Sequence, residues 1–249
     1  MKISVTQSEP DIGLQQSQRL PLSIAIESST RWGSLALVRG TDTIRYIQLD
    51  RQSRTAATIS LALDELMVET RVLDESLDFI SVTDGPGSFT GLRIGVTTAK
   101  ALAYALGCPI VAVDSLAILA VELWRTCPQA TQVLLALNAY RGQLFAAHWT
   151  RAQWEAAIQS GDFTTQSEVV SHDQWDAMVA VAGESCAIGA EPLIAQRVAS
   201  GRIHALEATA EHVAQVADLI AQRGRYVSPM NLLPRYLRES AAEEKRKHS

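Results

Sequence analysis

The chain has 249 residues, 47% of them hydrophobic and 20% charged, with a formal net charge of −5. That length fits one large domain or two small ones, and the composition is that of a globular protein. The absence of a long basic stripe argues against strong nucleic-acid binding by this chain alone. No apolar run reaches the roughly 20 residues that span a bilayer. Three scattered cysteines (Cys108, Cys127, Cys186) with no C-x-x-C argue against a disulfide framework or zinc site and for a reducing compartment, the cytoplasm.

Residues 1–21 are polar and mixed, without the apolar core of a signal peptide, and read as a flexible leader. Leu22 to Ile26 alternates and ends in the polar cluster Glu27-Ser28-Ser29-Thr30. Gly33 to Val38, a turn at Arg39–Asp42, and Thr43 to Leu49 follow, which predicts three strands in a meander. Arg54 to Thr70 reads as a helix, with Ala56, Ile59, Leu63, Leu66 and Met67 on one face. A second stripe, Ala57, Leu61 and Val68, lies on another side, which predicts a helix buried on two sides, by its own sheet and by a partner.

The β-branched run Phe79–Thr83 leads into Asp84-Gly-Pro-Gly-Ser-Phe-Thr-Gly-Leu-Arg-Ile-Gly95 and a helix over Ser88–Leu106. Strand, glycine turn and helix N-terminus can hold an anion, or can be a tight turn only. The dinucleotide fingerprint fails because its third glycine falls on Thr90, and a Walker A loop fails because no lysine precedes Lys100. Asp84 reads as a turn former rather than a catalyst. In the helix, Leu92, Val96, Ala99, Ala103 and Leu106 form an apolar face. Ile94, Thr97, Thr98, Ala101 and Ala105 form a small-residue face that lets another helix approach. Arg93 opposes the helix dipole, which points to an anion or a partner carboxylate opposite it. Gly107 and Pro109 end the helix. Pro109–Val113 is a strand, and Asp114 or Ser115 caps a helix to Trp124. Trp32 and Trp124 read as core residues.

Cys127–Thr131 marks a boundary. A second cycle follows: Gln132–Leu137, the polar cluster Asn138–Gly142, then Gln143–Trp149, repeating the plan of residues 22–38. Arg151–Asp162 reads as a linker or insertion, Ser171–Met178 and Glu191–Ala199 as short helices, Arg202–Leu206 as a strand and Thr209–Arg223 as a helix. Tyr226–Arg238 is expected to pack back across the molecule. The division expected is a leader (1–21), an N-terminal α/β lobe carrying partner-binding helices (22–126), a smaller C-terminal α/β lobe (127–238) and a charged tail (239–249). A ligand in such a duplicated α/β architecture would lie between the halves.

Ile24-Ala-Ile-Glu-Ser-Ser-Thr30, the Asp84–Gly95 element, Ala112-Val-Asp-Ser-Leu116, Asn138-Ala-Tyr-Arg-Gly142 and Pro234-Arg-Tyr-Leu-Arg238 resemble, in order, the bacterial TsaB (YeaZ) family. The resemblance runs from about residue 22 to 238. It implies an α/β fold of the actin-like, sugar-kinase, heat-shock-ATPase (ribonuclease H-like) type, with two related halves. It implies a non-catalytic subunit in the making of N6-threonylcarbamoyladenosine beside the anticodon of tRNAs that read codons starting with adenine. The implied partners are the catalytic paralogue TsaD and the ATPase TsaE, with tRNA met only through the complex and a homodimer when the chain is alone. ATP and magnesium would be used by partner subunits, with no cofactor required by this chain.

The same resemblance places the two acidic cleft positions at Glu27 and Asn138. Asn138 cannot neutralise a divalent ion as a carboxylate does. Ser29, Thr30 and Gly142 complete a weak phosphate-cleft set, and Ala182–Gly189, where the adenosine loop would fall, has no adjacent glycines. No catalytic residue is assigned. The catalytic paralogue's H-x-x-x-H pair has no counterpart among the five histidines, so no metal site is expected. Arg54 stands where many family members carry histidine. The interface candidates are Ala57, Leu61, Ser88, Phe89, Arg93, Ile94, Thr97, Thr98, Ala101 and Ala105. The competing expectation is an ATPase or small-molecule kinase of the same fold, and a remoter one is a metalloprotease.

Overall fold

A computed structural model describes residues 19–49, 56–197 and 202–237. Arg54, most of the expected leader and the charged tail lie outside the described residues.

The N-terminal half runs β1 (Leu22–Glu27), β2 (Ser34–Arg39), β3 (Asp42–Gln48), α1 (Ala56–Leu73), β4 (Phe79–Gly85), α2 (Phe89–Leu106), β5 (Ile110–Asp114) and α3 (Ala117–Thr126). The C-terminal half runs β6 (Gln132–Tyr140), β7 (Gln143–Thr150), α4 (Arg151–Ser160), β8 (Ser167–Ser171), α5 (His172–Val181), β9 (Cys186–Ala190), α6 (Pro192–Ala195), β10 (Ile203–Ala205) and α7 (Ala210–Ala221).

Each half forms a five-stranded mixed sheet, ordered β3-β2-β1-β4-β5 in one and β8-β7-β6-β9-β10 in the other. The first three strands of each are antiparallel and the last two parallel, so pairing senses match strand for strand. The repeat seen in the sequence is therefore a repeat of the whole sheet. This is an α/β fold with two related halves.

Strand alternation explains the layering. Leu22, Ile24, Ile26, Leu35, Leu37, Ile80 and Val82 point to one face of the first sheet, into a core with Ile59 and Leu66 of α1 and Val96, Ala99 and Ala103 of α2. Ala25, Ala36, Val38, Phe79, Val111 and Val113 point to the other face. There they meet α3 and α7, which lie between the sheets and also pack on Val133, Leu135 and Leu137 of β6. Leu134 and Ala136 turn outward to Trp175, Val179 and Ile194. With helices on both faces, the central strands must be apolar at nearly every position.

Three expectations are corrected. Arg151–Asp162 is no linker: Arg151–Ser160 is a helix closed by a Thr150–Gln153 capping box, with Trp154 and Ala157 buried. The helix expected over Glu191–Ala199 is, in the described residues, the single turn Pro192–Ala195. Leu106, assigned to the apolar face of α2, lies in its last turn and is 43% exposed.

Candidate functional site

The β1–β2 connection closes on itself. Glu27 is fully buried, and its Oε1 accepts from the Ser29 N–H (2.7 Å), the Ser29 hydroxyl (2.6 Å) and the Thr30 N–H (3.1 Å). Oε2 accepts from the Thr30 hydroxyl (3.2 Å). Burial pushes the Glu27 carboxyl above the usual carboxylate range, and these hydrogen bonds work against that push. Glu27, Ser29 and Thr30 thus form one internal cluster, with the carboxylate turned into its own loop.

The glycine-rich segment is shaped to lie on that loop. Ser88 donates its N–H to the Ser29 carbonyl (2.7 Å) and caps α2 by accepting from the Gly91 N–H. β-Carbons built on Gly87, Gly91 or Gly95 would overlap Ser29 or Ser28. The glycines are accounted for by this close approach of backbone to backbone, which favours the tight-turn alternative for the motif.

The second half differs. The Asn138 side-chain oxygen accepts from the Tyr140 N–H (2.7 Å), and the Asn138 N–H donates to Glu191 Oε2 (3.0 Å). Tyr140, Arg141 and Gly142 all have positive φ (61°, 53° and 74°), and Gly142 has open space around it. Gly189 is a buried strand residue against Leu206 and Leu123, not part of a nucleotide loop. Among the described residues no group of three or more histidine, cysteine, aspartate or glutamate side chains is placed to hold a metal ion. No helix among them is long and apolar enough to cross a membrane.

The helices on the outer surface of the first sheet carry several large apolar side chains that remain uncovered. On α1, Leu61 (71% exposed), Val68 (53%) and Val72 (74%) line up at helical spacing. On α2, Arg93, Thr97, Ala101 and Ala105 are exposed, and Tyr104 is 77% exposed. Ser88, Phe89, Ile94 and Thr98 are half-buried, and Ile94 packs on the core shared with α1, so it belongs to the fold rather than to the free face. Ala57 lies in α1, but its side chain is outside the described set. Arg93 faces no carboxylate in the described structure: its guanidinium lies 4.2 Å from the Phe89 ring centre and its Nε donates to the Tyr236 hydroxyl (3.3 Å). Val72 and Tyr104 continue the stripes already visible in the sequence and could have been found there.

Residues 226–237 form a strap beside α2. Val227 pairs with Ile110, Leu232 is buried, and Lys100 donates to the Leu232 carbonyl (3.0 Å). Tyr236 stacks on Phe89 at 4.5 Å, and Arg235 binds Asp84 through two hydrogen bonds. Asp84 is therefore an anchor for the strap. Burial pushes its carboxyl up to about 6, with the Arg235 guanidinium working against that push. Asp114, expected to cap α3, accepts from the Leu116 and Ala117 N–H groups.

A family model described as "TsaD: tRNA N6-adenosine threonylcarbamoyltransferase" matches residues 52–177, half of the chain. The chain is similar to the tRNA threonylcarbamoyladenosine biosynthesis protein TsaB of Buchnera aphidicola subsp. Acyrthosiphon pisum, 29% identical over 57% of this chain and 62% of that protein. It thus spans about three fifths of that relative's length. It is also similar to the TsaB of Escherichia coli K12, 28% identical over 89% of this chain and 96% of that one. The solved structure of YeaZ from Pseudomonas aeruginosa superposes with a TM-score of 0.68 at 26% identity, covering 88% of this chain and all of the other. The glycine-rich segment falls within the matched residues 52–177, and the chain belongs to the family that this model describes, as a protein of the TsaB/YeaZ type.

Proposed function

We propose that this chain is a non-catalytic subunit of the assembly that transfers threonylcarbamoyl to N6 of the adenosine beside the anticodon, in tRNAs reading codons that begin with adenine. It acts by binding a catalytic paralogue of the TsaD kind through α1 and α2, in the cytoplasm, with the TsaE ATPase joining them. It meets tRNA only through the assembly, and ATP and magnesium serve its partners.

The observation that carries this is the uncovered stripe of Leu61, Val68 and Val72 on α1, together with the exposed Ala101 and Tyr104 on α2, a helix that shares the same core. Exposed apolar side chains that line up on adjacent helices mark a surface that another protein covers. Small residues at Thr97, Ala101 and Ala105 would let a partner helix lie close. The inward-turned Glu27 carboxylate and the uncharged Asn138 support a role without nucleotide hydrolysis by this chain. When the partner is absent, the same face would pair with a second copy.

Ala101→Glu tests the interface. The variant should fold, as judged by circular dichroism and melting, yet fail to copurify with the catalytic paralogue. Copurification at the wild-type level would remove α2 from the interface.

A further inference from the structure

Arg235 lies 151 residues from Asp84 and 121 from Asp114 in sequence, and binds both. Its Nε donates to Asp84 Oδ2 (2.9 Å), and Nη2 donates to Asp84 Oδ1 (2.8 Å), the Gly85 carbonyl (2.8 Å) and Asp114 Oδ2 (3.0 Å). Its backbone N–H donates to the Asp84 carbonyl (2.7 Å), and a β-carbon on Gly85 would overlap the Arg235 carbonyl. Asp114 Oδ2 also accepts from the N–H (3.0 Å) and hydroxyl (2.7 Å) of Thr165, which lies between α4 and β8 in the other half. The Asp84 and Asp114 side chains are only 13% and 2% exposed.

We propose that Arg235 is a latch: it fastens the C-terminal strap at once to the segment leading into α2 and to the Asp114–Thr165 bridge between the two lobes. Three arguments support it. Two buried carboxylates face one cation, so removing that cation leaves both uncompensated. Only a planar guanidinium reaches Asp84 bidentately and Asp114 as well, which a lysine ammonium cannot reproduce. A cavity of about 450 Å³ separates the loop Gly161–Thr164 from the ends of β4 and β5 and is lined by Asp84, Asp114 and Arg235. Phe163 anchors that loop in the shared core, and the polar bridge at Asp114–Thr165 is the tie on the cavity side. The consequence for partner binding, through the start of α2, rests on the proposed function; the latch itself does not.

Amide hydrogen exchange on the isolated chain tests it, independently of any partner. In Arg235→Gln, exchange at Thr165 and across residues 85–91 should speed up by about tenfold or more, while β1 and β6 stay protected. Asp84→Asn/Arg235→Gln removes one of the two orphaned charges and leaves Asp114 to its Thr165, Leu116 and Ala117 donors, so it should recover part of the stability yet keep fast exchange at Thr165. Wild-type rates at Thr165 in both variants would overturn the latch. Faster exchange confined to residues 228–236 would overturn its cross-lobe part. Global loss of protection in the double variant would also overturn it, because the contact would then be a general requirement of folding.

Discussion

The carbonyl oxygen of Ser28 occupies the space that a β-carbon on Gly91 would need. Gly91 sits in the first turn of α2, where helix propensity alone favours alanine by about 1 kcal/mol. The overlap is with backbone, which cannot swing aside as a side chain can. Gly91→Ala should therefore destabilise the protein by about 1–3 kcal/mol in urea unfolding, the usual cost of overpacking. A stabilised variant would mean that α2 does not rest on the β1–β2 loop.

Glu27 offers a second test of that loop. Its carboxylate accepts four hydrogen bonds and donates none. Glu27→Gln keeps the shape but turns an NH2 toward N–H and O–H donors, so at least one bond becomes a clash of donors. A loss of about 1–3 kcal/mol, read from thermal or urea unfolding, is expected. An unchanged stability would place the side chain elsewhere.

Asp84 should leave a mark on the pH dependence. Its native value of about 6 lies above the ordinary 3.8, so the folded state takes up this proton first as pH falls. The stability it contributes is fully present below about 3.8 and is lost as pH rises through about 6. Wild type minus Asp84→Asn should therefore be more favourable at pH 4.5 than at pH 7, by on the order of 1 kcal/mol. A difference independent of pH across that window would contradict the shift.

The stripe on α1 can be probed without any partner. Leu61→Asp combined with Val68→Asp touches only side chains that are more than half exposed, so folding should be unaffected. If the isolated chain pairs through this face, sedimentation should show the dissociation constant of the dimer raised by at least about tenfold. A dimer of unchanged strength would place self-association on another surface.

The lobed plan was legible because each half opens with the same local pattern, an apolar strand, a polar turn and a second strand, at residues 22–38 and 132–149. The faces of α1 and α2 were legible for the same reason: helical spacing separates Ile59 and Leu66, which are buried, from Leu61 and Val68, which are not. The helix at Arg151–Ser160 was missed because only Trp154, Ala157 and the half-buried Ile158 face inward, too few for a stripe; its Thr150–Gln153 capping box was the available signal. The short edge strand Ser167–Ser171 has no alternating pattern to announce it. Arg235, Thr165 and Glu191 could not be found at all. Their partners lie 51 to 151 residues away, and nothing in the neighbouring sequence marks an arginine as buried against two aspartates.

The direct measurement is a reconstitution with one component left out. A TsaD-type paralogue, the ATPase, an activating synthase, threonine, bicarbonate, ATP and tRNA would be combined with and without this chain, and modified adenosine quantified by mass spectrometry. Product that forms only when the chain is present, and that is lost with Ala101→Glu, is the predicted result. Equal product without the chain would contradict its role as an essential subunit.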